Sequence, residues 1–450
     1  MQCRARARLF EVMTSPVTLR QRLRLNSAVV QIVFFCGFVI LLVSPISIPD
    51  PLELGVHLSW TAICLLFALL ILAPALYRQW PRSELDWPLA IYLAAVVGNL
   101  ATSLDRSLTI LWILNIAAQV GVFAATMTLA RQEPRLPRAV LVFLVADIAV
   151  LLLMATAYHA ELGFVVRPKG YLSPAGWSGY PELGALGVVQ FALLVAAIYT
   201  SRRRADALIG GLLLLVAAVE IVFLYARGAW AAAIAVLAVA ALLLTARGHL
   251  KRFVAIACVI AGVTLVFAPR NPMLRRLMFN DKTADASIDI APPQMRLDIW
   301  TRTLDMIRNR PLRGVGLGNF SKEFERGYSR QLIYEGRSSQ HAHNLWLHQY
   351  AELGVIGGTA YLVLWVCVFR VAWRTARSAP TFVSVGLVLA ITALLATNVT
   401  TNMFSTTGLA AGRLHSLTWL LFGLAVSQRV VRPSLHETGA SADADTSIVA

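Results

Sequence analysis

The chain reads as an all-α, polytopic membrane protein of about twelve transmembrane helices, with one long, partly helical loop on the outer face. Three observations carry this reading. Of 450 residues, 58% are hydrophobic and 14% charged, with a mean hydropathy of +0.66; a soluble domain carries about a quarter charged residues. Apolar runs of roughly 18–23 residues, each long enough to cross a bilayer as a helix, recur along most of the chain. Lys and Arg are shared unequally between the segments that join those runs, and this orients the bundle.

The first run, 27–46, follows a basic stretch containing Arg20, Arg22 and Arg24. It ends in Ser44-Pro45-Ile46-Ser47-Ile48-Pro49 with no small-residue cleavage site, so an uncleaved first helix is expected rather than a secretory signal. Further spans fall at 59–77, 87–104, 108–130, 139–158, 181–200, 206–225, 229–246 and 253–268, and then at 353–371, 381–398 and 409–427. The organisation is therefore 1–268 for a basic N-terminus and nine helices, 269–352 for the long loop, and 353–427 for three more helices. Residues 428–450 form a Ser/Ala/Asp-rich tail expected to be disordered.

With the N-terminus inside, cytoplasmic segments hold 22 of the 40 Lys and Arg. The short outer loops hold five: Arg106, Arg167, Lys169, Arg227 and Arg413. The other thirteen lie in 269–352, which carries no weight because long loops translocate largely regardless of charge. Both termini are thus expected in the cytoplasm and the long loop outside. The same bias accounts for most of the +16 net charge without nucleic acid, and membrane lipids are the available anionic partners for the rest. Cys36, Cys64, Cys258 and Cys367 fall in spans and Cys3 in the cytoplasm, so no disulfide framework or thiolate metal site is indicated.

The long loop has its own pattern. Met295, Ile299, Trp300, Thr303, Leu304 and Ile307 recur at helical spacing, while Arg296, Asp298, Arg302, Asp305 and Arg308 take the rest of the turn. That predicts an amphipathic helix lying on the membrane or capping the bundle. Pro311 follows its end, and Gly314, Gly316 and Gly318 make a tight bend. A dinucleotide fingerprint needs a strand before such glycines and a helix after them. This run follows a helix, so it predicts a close-packed turn.

Arg227 stands in Y-A-R-G-A-W between spans seven and eight, with almost no loop to hold it in water. It could snorkel to the interface. An arginine at the membrane is costly unless it is paired or faces a cavity, which makes it a functional candidate, and Gly228 and Ala229 leave room for close approach. Arg167 and Lys169, in V-V-R-P-K-G-Y, share its side; taken alone they read as solvated loop charges.

His341, His343 and His348 lie within eight residues at the entry to span ten, beside Asn344 and upstream of Glu352. A metal site would want ligands at i and i+4 on a helix. His341 and His343 are two apart and His343 and His348 five apart, so no metal is expected. A general-base role for one imidazole fits better, because histidine titrates near neutral pH. The only D-x-D, Asp443-Ala-Asp445, is in the cytoplasmic tail. A departing phosphate would then be held by arginines, which grip phosphate in two-point fashion. No cofactor is indicated.

These segments resemble the O-antigen ligase and polymerase superfamily. A-R-G-A-W at 226–230 is similar to its S-R-G-A element, R-L-D-I-W…P-L-R-G-V-G-L-G-N-F at 296–320 to its outer-loop signature, and H-A-H-N-L-W-L…E-L-G-V-I-G at 341–357 to its A-H-N block. R-P-K-G-Y at 167–171 resembles a shorter upstream element. Two departures are Ala226, where the family often has Ser, and S-P-A-G-W at 173–177, where it usually has an Asn-Pro-Asn-like turn.

The resemblance implies a membrane-embedded fold like the C-type glycosyltransferases. It also implies an inverting, metal-independent ligase that transfers a glycan from undecaprenyl pyrophosphate to lipid A–core oligosaccharide, on the periplasmic face of the bacterial inner membrane in lipopolysaccharide biosynthesis. Carried onto this chain, Arg227, Arg296 and Arg167 would bind the pyrophosphate and His343 would act on the acceptor hydroxyl, supported by His341, Asn344 and Lys169. Within the superfamily the alternatives are an O-antigen polymerase and a protein O-oligosaccharyltransferase. A transporter for a lipid-linked sugar would carry ionisable groups and broken helices at mid-membrane. Here Asp147 and Glu220 are the main interior carboxylates, and the informative residues crowd one face.

Overall fold

The structure is a computed structural model that describes residues 30–42, 60–69, 82–161, 180–223, 226–245, 250–271, 293–328, 341–400 and 409–428. Among these residues all regular structure is helical. The helices are α1 (Val30–Leu42), α2 (Trp60–Leu69), α3 (Asp86–Gly98), α4 (Arg106–Gln132), α5 (Leu136–Glu161), α6 (Tyr180–Thr200) and α7 (Arg204–Phe223). They continue as α8 (Arg227–Thr245), α9 (Leu250–Phe267), α10 (Pro293–Asn309), α11 (Phe320–Gly327), α12 (Leu345–Ser378), α13 (Phe382–Thr400) and α14 (Leu409–Ser427).

A helix occupies each apolar run read from the sequence. Six of them (α4, α5, α6, α7, α12 and α13) are long and apolar enough to cross a membrane. The tenth run, expected from 353, lies inside α12, which starts at Leu345 and bends at Gly354.

Helices α6 and α13 form the centre of the bundle and pack against each other, with α8 and α7 on their flanks. Their side chains are buried almost all round, which an apolar helix permits only inside a larger assembly. The outward faces of the surrounding helices expose large apolar side chains such as Val33, Leu208, Ile234 and Leu242, as lipid-facing surfaces do. Helix association in lipid has no hydrophobic drive and depends on close packing. At Gly184 of α6 an added Cβ would lie 3.0 Å from Ala226 and 3.3 Å from Ala229, so the start of α8 sits directly on α6. The interior carboxylate Glu220 of α7 is fully buried and faces His159 of α5, Nδ1 to Oε2, at 3.3 Å.

The segment expected to be amphipathic is helix α10, but its buried face differs from the one anticipated. Ile299, Thr303 and Met306 are its buried positions, and Leu304 is exposed. Arg296, one turn before Ile299 and Trp300, lies on the buried side rather than among the solvated charges. This face packs on Val315, Phe320, Phe324, Ala342 and Ala351, a small second core that joins α10 and α11 to the start of α12.

The candidate active site

The glycine run 314–318 is the close-packed turn expected, and its partner is the bend in α12. Gly354 has φ 67 and ψ −173, a backbone state essentially restricted to glycine. The bend frees carbonyls and amides that the turn then satisfies. Val315 N donates to Ala351 O at 3.0 Å, Gly316 N to Glu352 O at 3.0 Å and Val355 N to Pro311 O at 2.7 Å. Asn99, just beyond α3, ties the same parts together. Its Nδ2 donates to the carbonyls of Arg313 at 2.6 Å and Glu352 at 3.1 Å, and its Oδ1 accepts from Leu317 N at 2.7 Å.

This bracket fixes the residues that precede α12. Asn344 caps the helix, its Oδ1 accepting from Leu347 N at 3.0 Å. Trp300 of α10 donates from Nε1 to Ala342 O at 2.9 Å and so locks α10 onto the H-A-H segment. His343 has φ 50, a left-handed conformation uncommon outside glycine but favoured several-fold for His, Asn and Asp. Because this backbone is a turn and not a helix, the rings of His341 and His343 face each other with centroids 4.2 Å apart. The two-residue spacing had seemed to separate them.

Arg227 is the first residue of α8, so its guanidinium adds to the partial positive charge of a helix N-terminus. Trp230 anchors this turn by donating from Nε1 to Ile221 O at 2.6 Å, at the end of α7. Arg296 and Arg227 come together from distant parts of the chain. Burial, and then the charge of Arg227, hold the Arg296 guanidinium below its ordinary range. Two cations so placed repel, and a bound polyanion would relieve that repulsion.

The imidazoles respond to the same surroundings. Burial first, then the charges of Arg296 and His348, push His343 down to about 4. His341 is pushed down further, to about 2, by burial and then by His343, His348 and Arg296. Both rings are neutral at neutral pH and have lone pairs to offer.

The structure thus brings together Arg227, Arg296, His341 and His343, with Asn344 as the cap that shapes the turn. Arg167 and Lys169 lie outside the described residues. Two residues given no role in the sequence reading also join the site. His348 and Glu352 are both buried, with Nε2 to Oε1 at 3.3 Å, and the same Oε1 accepts from Phe320 N at 3.1 Å. Their i, i+4 spacing on a helix was the available signal.

No curated protein matches the chain. Residues 211–362 match a family model described as O-Antigen ligase. The matched stretch contains Arg227, Arg296, His341, His343, His348 and Glu352, and it ends beyond the bend in α12. The match covers about a third of the chain and shows that this stretch is similar to O-antigen ligases.

Proposed function

We propose that the protein is an O-antigen ligase, an inverting glycosyltransferase that works without a metal ion. It moves a glycan from undecaprenyl pyrophosphate to lipid A–core oligosaccharide on the periplasmic face of the inner membrane. In this reading the apolar runs make twelve crossings, both termini are cytoplasmic, and residues 269–352 are periplasmic. The observation that carries it is the convergence of Arg227 and Arg296 beside a buried neutral imidazole.

The chemistry follows from that arrangement. The acceptor hydroxyl attacks C1 of the donor sugar, a new C–O bond forms, and the bond from C1 to the pyrophosphate oxygen breaks with inversion. Undecaprenyl pyrophosphate leaves with increased negative charge, which the fixed guanidinium groups stabilise in the transition state. Arg167, and more weakly Lys169, would join this group from the 159–180 segment. The acceptor proton passes to His343.

Arg296 opposes protonation of His343 in the free site. A bound pyrophosphate offsets that positive charge and makes the imidazole a better base, so donor binding prepares the site for the acceptor.

The test is reconstitution of the full chain in bilayers with undecaprenyl-pyrophosphate glycan and lipid A–core, with EDTA present. Joined product on a gel is expected. Product only after Mg²⁺ or Mn²⁺ is added would end the metal-free account. In cells lacking the protein, full-length lipid-linked glycan should accumulate beside bare core. Single repeat units on core and no long chains would instead mark a polymerase, and an unglycosylated pilin a protein ligase.

A further inference from the structure

Next to the histidine segment, a cavity of about 270 Å³ opens between the start of α4, the start of α11 and the first turns of α12. Its walls include Tyr92, Trp112 and Tyr361, and its polar lining includes His348 and Gln349. His348 is 2% exposed and Gln349 8%. His348 Nδ1 and Gln349 Oε1 are buried and make no hydrogen bond to any described residue. Nearly all buried polar atoms in folded proteins find a partner, so two adjacent exceptions facing one cavity call for a ligand.

The open ring nitrogen of His348 helps define what that ligand must offer. Its Nε2 faces Glu352 Oε1 at 3.3 Å, which leaves Nδ1 as the ring atom for a ligand. The cavity therefore presents two buried polar atoms, one on each of two neighbouring residues, and both need partners. Lys322 at the mouth is already paired with Asp105, so its charge makes no demand for an anion. A neutral ring with several hydroxyls, each able to donate and to accept, supplies those partners, and its C–H faces fit aromatic walls. The volume lies below the ~300–1,000 Å³ of sites for drug-sized ligands, which suits one ring and not an oligosaccharide.

We infer that this cavity is a binding subsite for a single sugar ring of the glycan substrates, whose hydroxyls hydrogen-bond with His348 Nδ1 and Gln349 Oε1. Its ligand's origin rests on the glycan-transfer reading. The cavity adjoins the transfer site, since His348 is close enough to His341 and His343 to oppose their protonation. His348 and Gln349 are positioning residues here, and Glu352 acts through His348 by orienting its ring.

The experiment uses the full chain in nanodiscs. Saturation-transfer NMR with methyl glycosides of a hexose, a heptose and an N-acetylhexosamine should show transfer to ring protons of at least one probe. Gln349→Leu, which keeps the bulk and removes the acceptor, should weaken that signal several-fold. In transfer kinetics the same variant should raise KM for one of the two glycan substrates by roughly tenfold, about one neutral hydrogen bond, with kcat within about twofold. Trp112→Leu serves if Gln349→Leu does not fold, and it should act in the same direction.

No binding of any glycoside by the wild type, or binding and KM unchanged in a folded variant, overturns the subsite. Normal transfer with an unchanged KM removes the subsite and leaves the transfer reading intact. Glycoside binding that depends on Gln349, with no transfer from lipid-linked glycan, does the reverse.

Discussion

Gly354→Ala tests whether the bend in α12 builds the site. At φ 67 and ψ −173, an alanine is strained whatever the space around it, by about 1–3 kcal/mol. There is also no space. The new Cβ would lie 2.4 Å from the Leu312 carbonyl carbon and oxygen and from Arg313 N. Those are backbone atoms and cannot swing aside as a flexible side chain would. Either the glycine turn moves away or α12 straightens, and both break the three hydrogen bonds from Val315, Gly316 and Val355. At roughly 0.5–1.5 kcal/mol each, with the strain added, the docking of 310–319 against 345–355 should weaken by roughly 3–7 kcal/mol. Gly98→Ala is the control, because it lies in regular helix with nothing within 4 Å of the added Cβ; it should stabilise slightly, by about 0.5–1 kcal/mol. Hydrogen–deuterium exchange of peptides covering 310–320 and 345–356 reads the docking directly, alongside transfer activity. Wild-type protection and activity in a Gly354→Ala protein would refute the idea that this interlock holds the histidine segment in place.

The remaining expectations concern the site and its orientation. Arg227→Ala or Arg296→Ala should cost roughly 10²–10³ in kcat, as loss of a transition-state donor does, and Lys at either position should restore little, because a point charge lacks the planar two-point grip. Arg302→Ala, whose guanidinium faces Asp305 at 3.7 Å, is the comparison and should be mild; equal losses in all three would indicate a diffuse basic surface. His343→Asn keeps a residue that tolerates φ 50 and should lower kcat roughly 10²–10⁴-fold. Since the His343 ring is pushed down to about 4, its basic form persists above that pH, and kcat/KM should fall only toward pH 4; an acid limb at 6.5 would contradict the burial argument. Between those values the unfolded chain takes up a proton that the folded site refuses, so stability should decline as the pH is lowered from about 6.5. In a cysteine-free background, Asp285→Cys and Arg330→Cys should react with an impermeant thiol reagent from the periplasm, while Arg203→Cys and Ala440→Cys should not; labelling at 203 would invert the proposed topology.

The helices were legible in the sequence because their signal is local: long apolar runs, a basic residue at a boundary, a proline and three glycines after α10. The site was legible as a set of residue types and only partly as a geometry. Arg296 entered the site through the family resemblance alone; its spacing puts it among the charged positions of α10, since periodicity does not say that α10 turns Ile299 and Thr303, and hence Arg296, toward a second core. His341 and His343 were kept apart by helical spacing, but a left-handed residue brings their rings together. The i, i+4 spacing of His348 and Glu352 is visible in the sequence, but the metal question compared only the three histidines with one another and passed over this pair. The meeting of Arg227 with Arg296 joins segments nearly seventy residues apart and has no local signature.

Asn99 imposes an order on the making of this protein. Its three hydrogen bonds reach residues 214, 218 and 253 positions later in the chain. At ribosomal rates of about 5–20 residues per second, the first of those partners is synthesised roughly 10–40 s after Asn99 itself. Throughout that interval a polar amide at the end of α3 must stay hydrated or be held by another membrane factor. The N-terminal helices can therefore be inserted early, but the surface that receives residues 310–319 is completed only once Glu352 has been made.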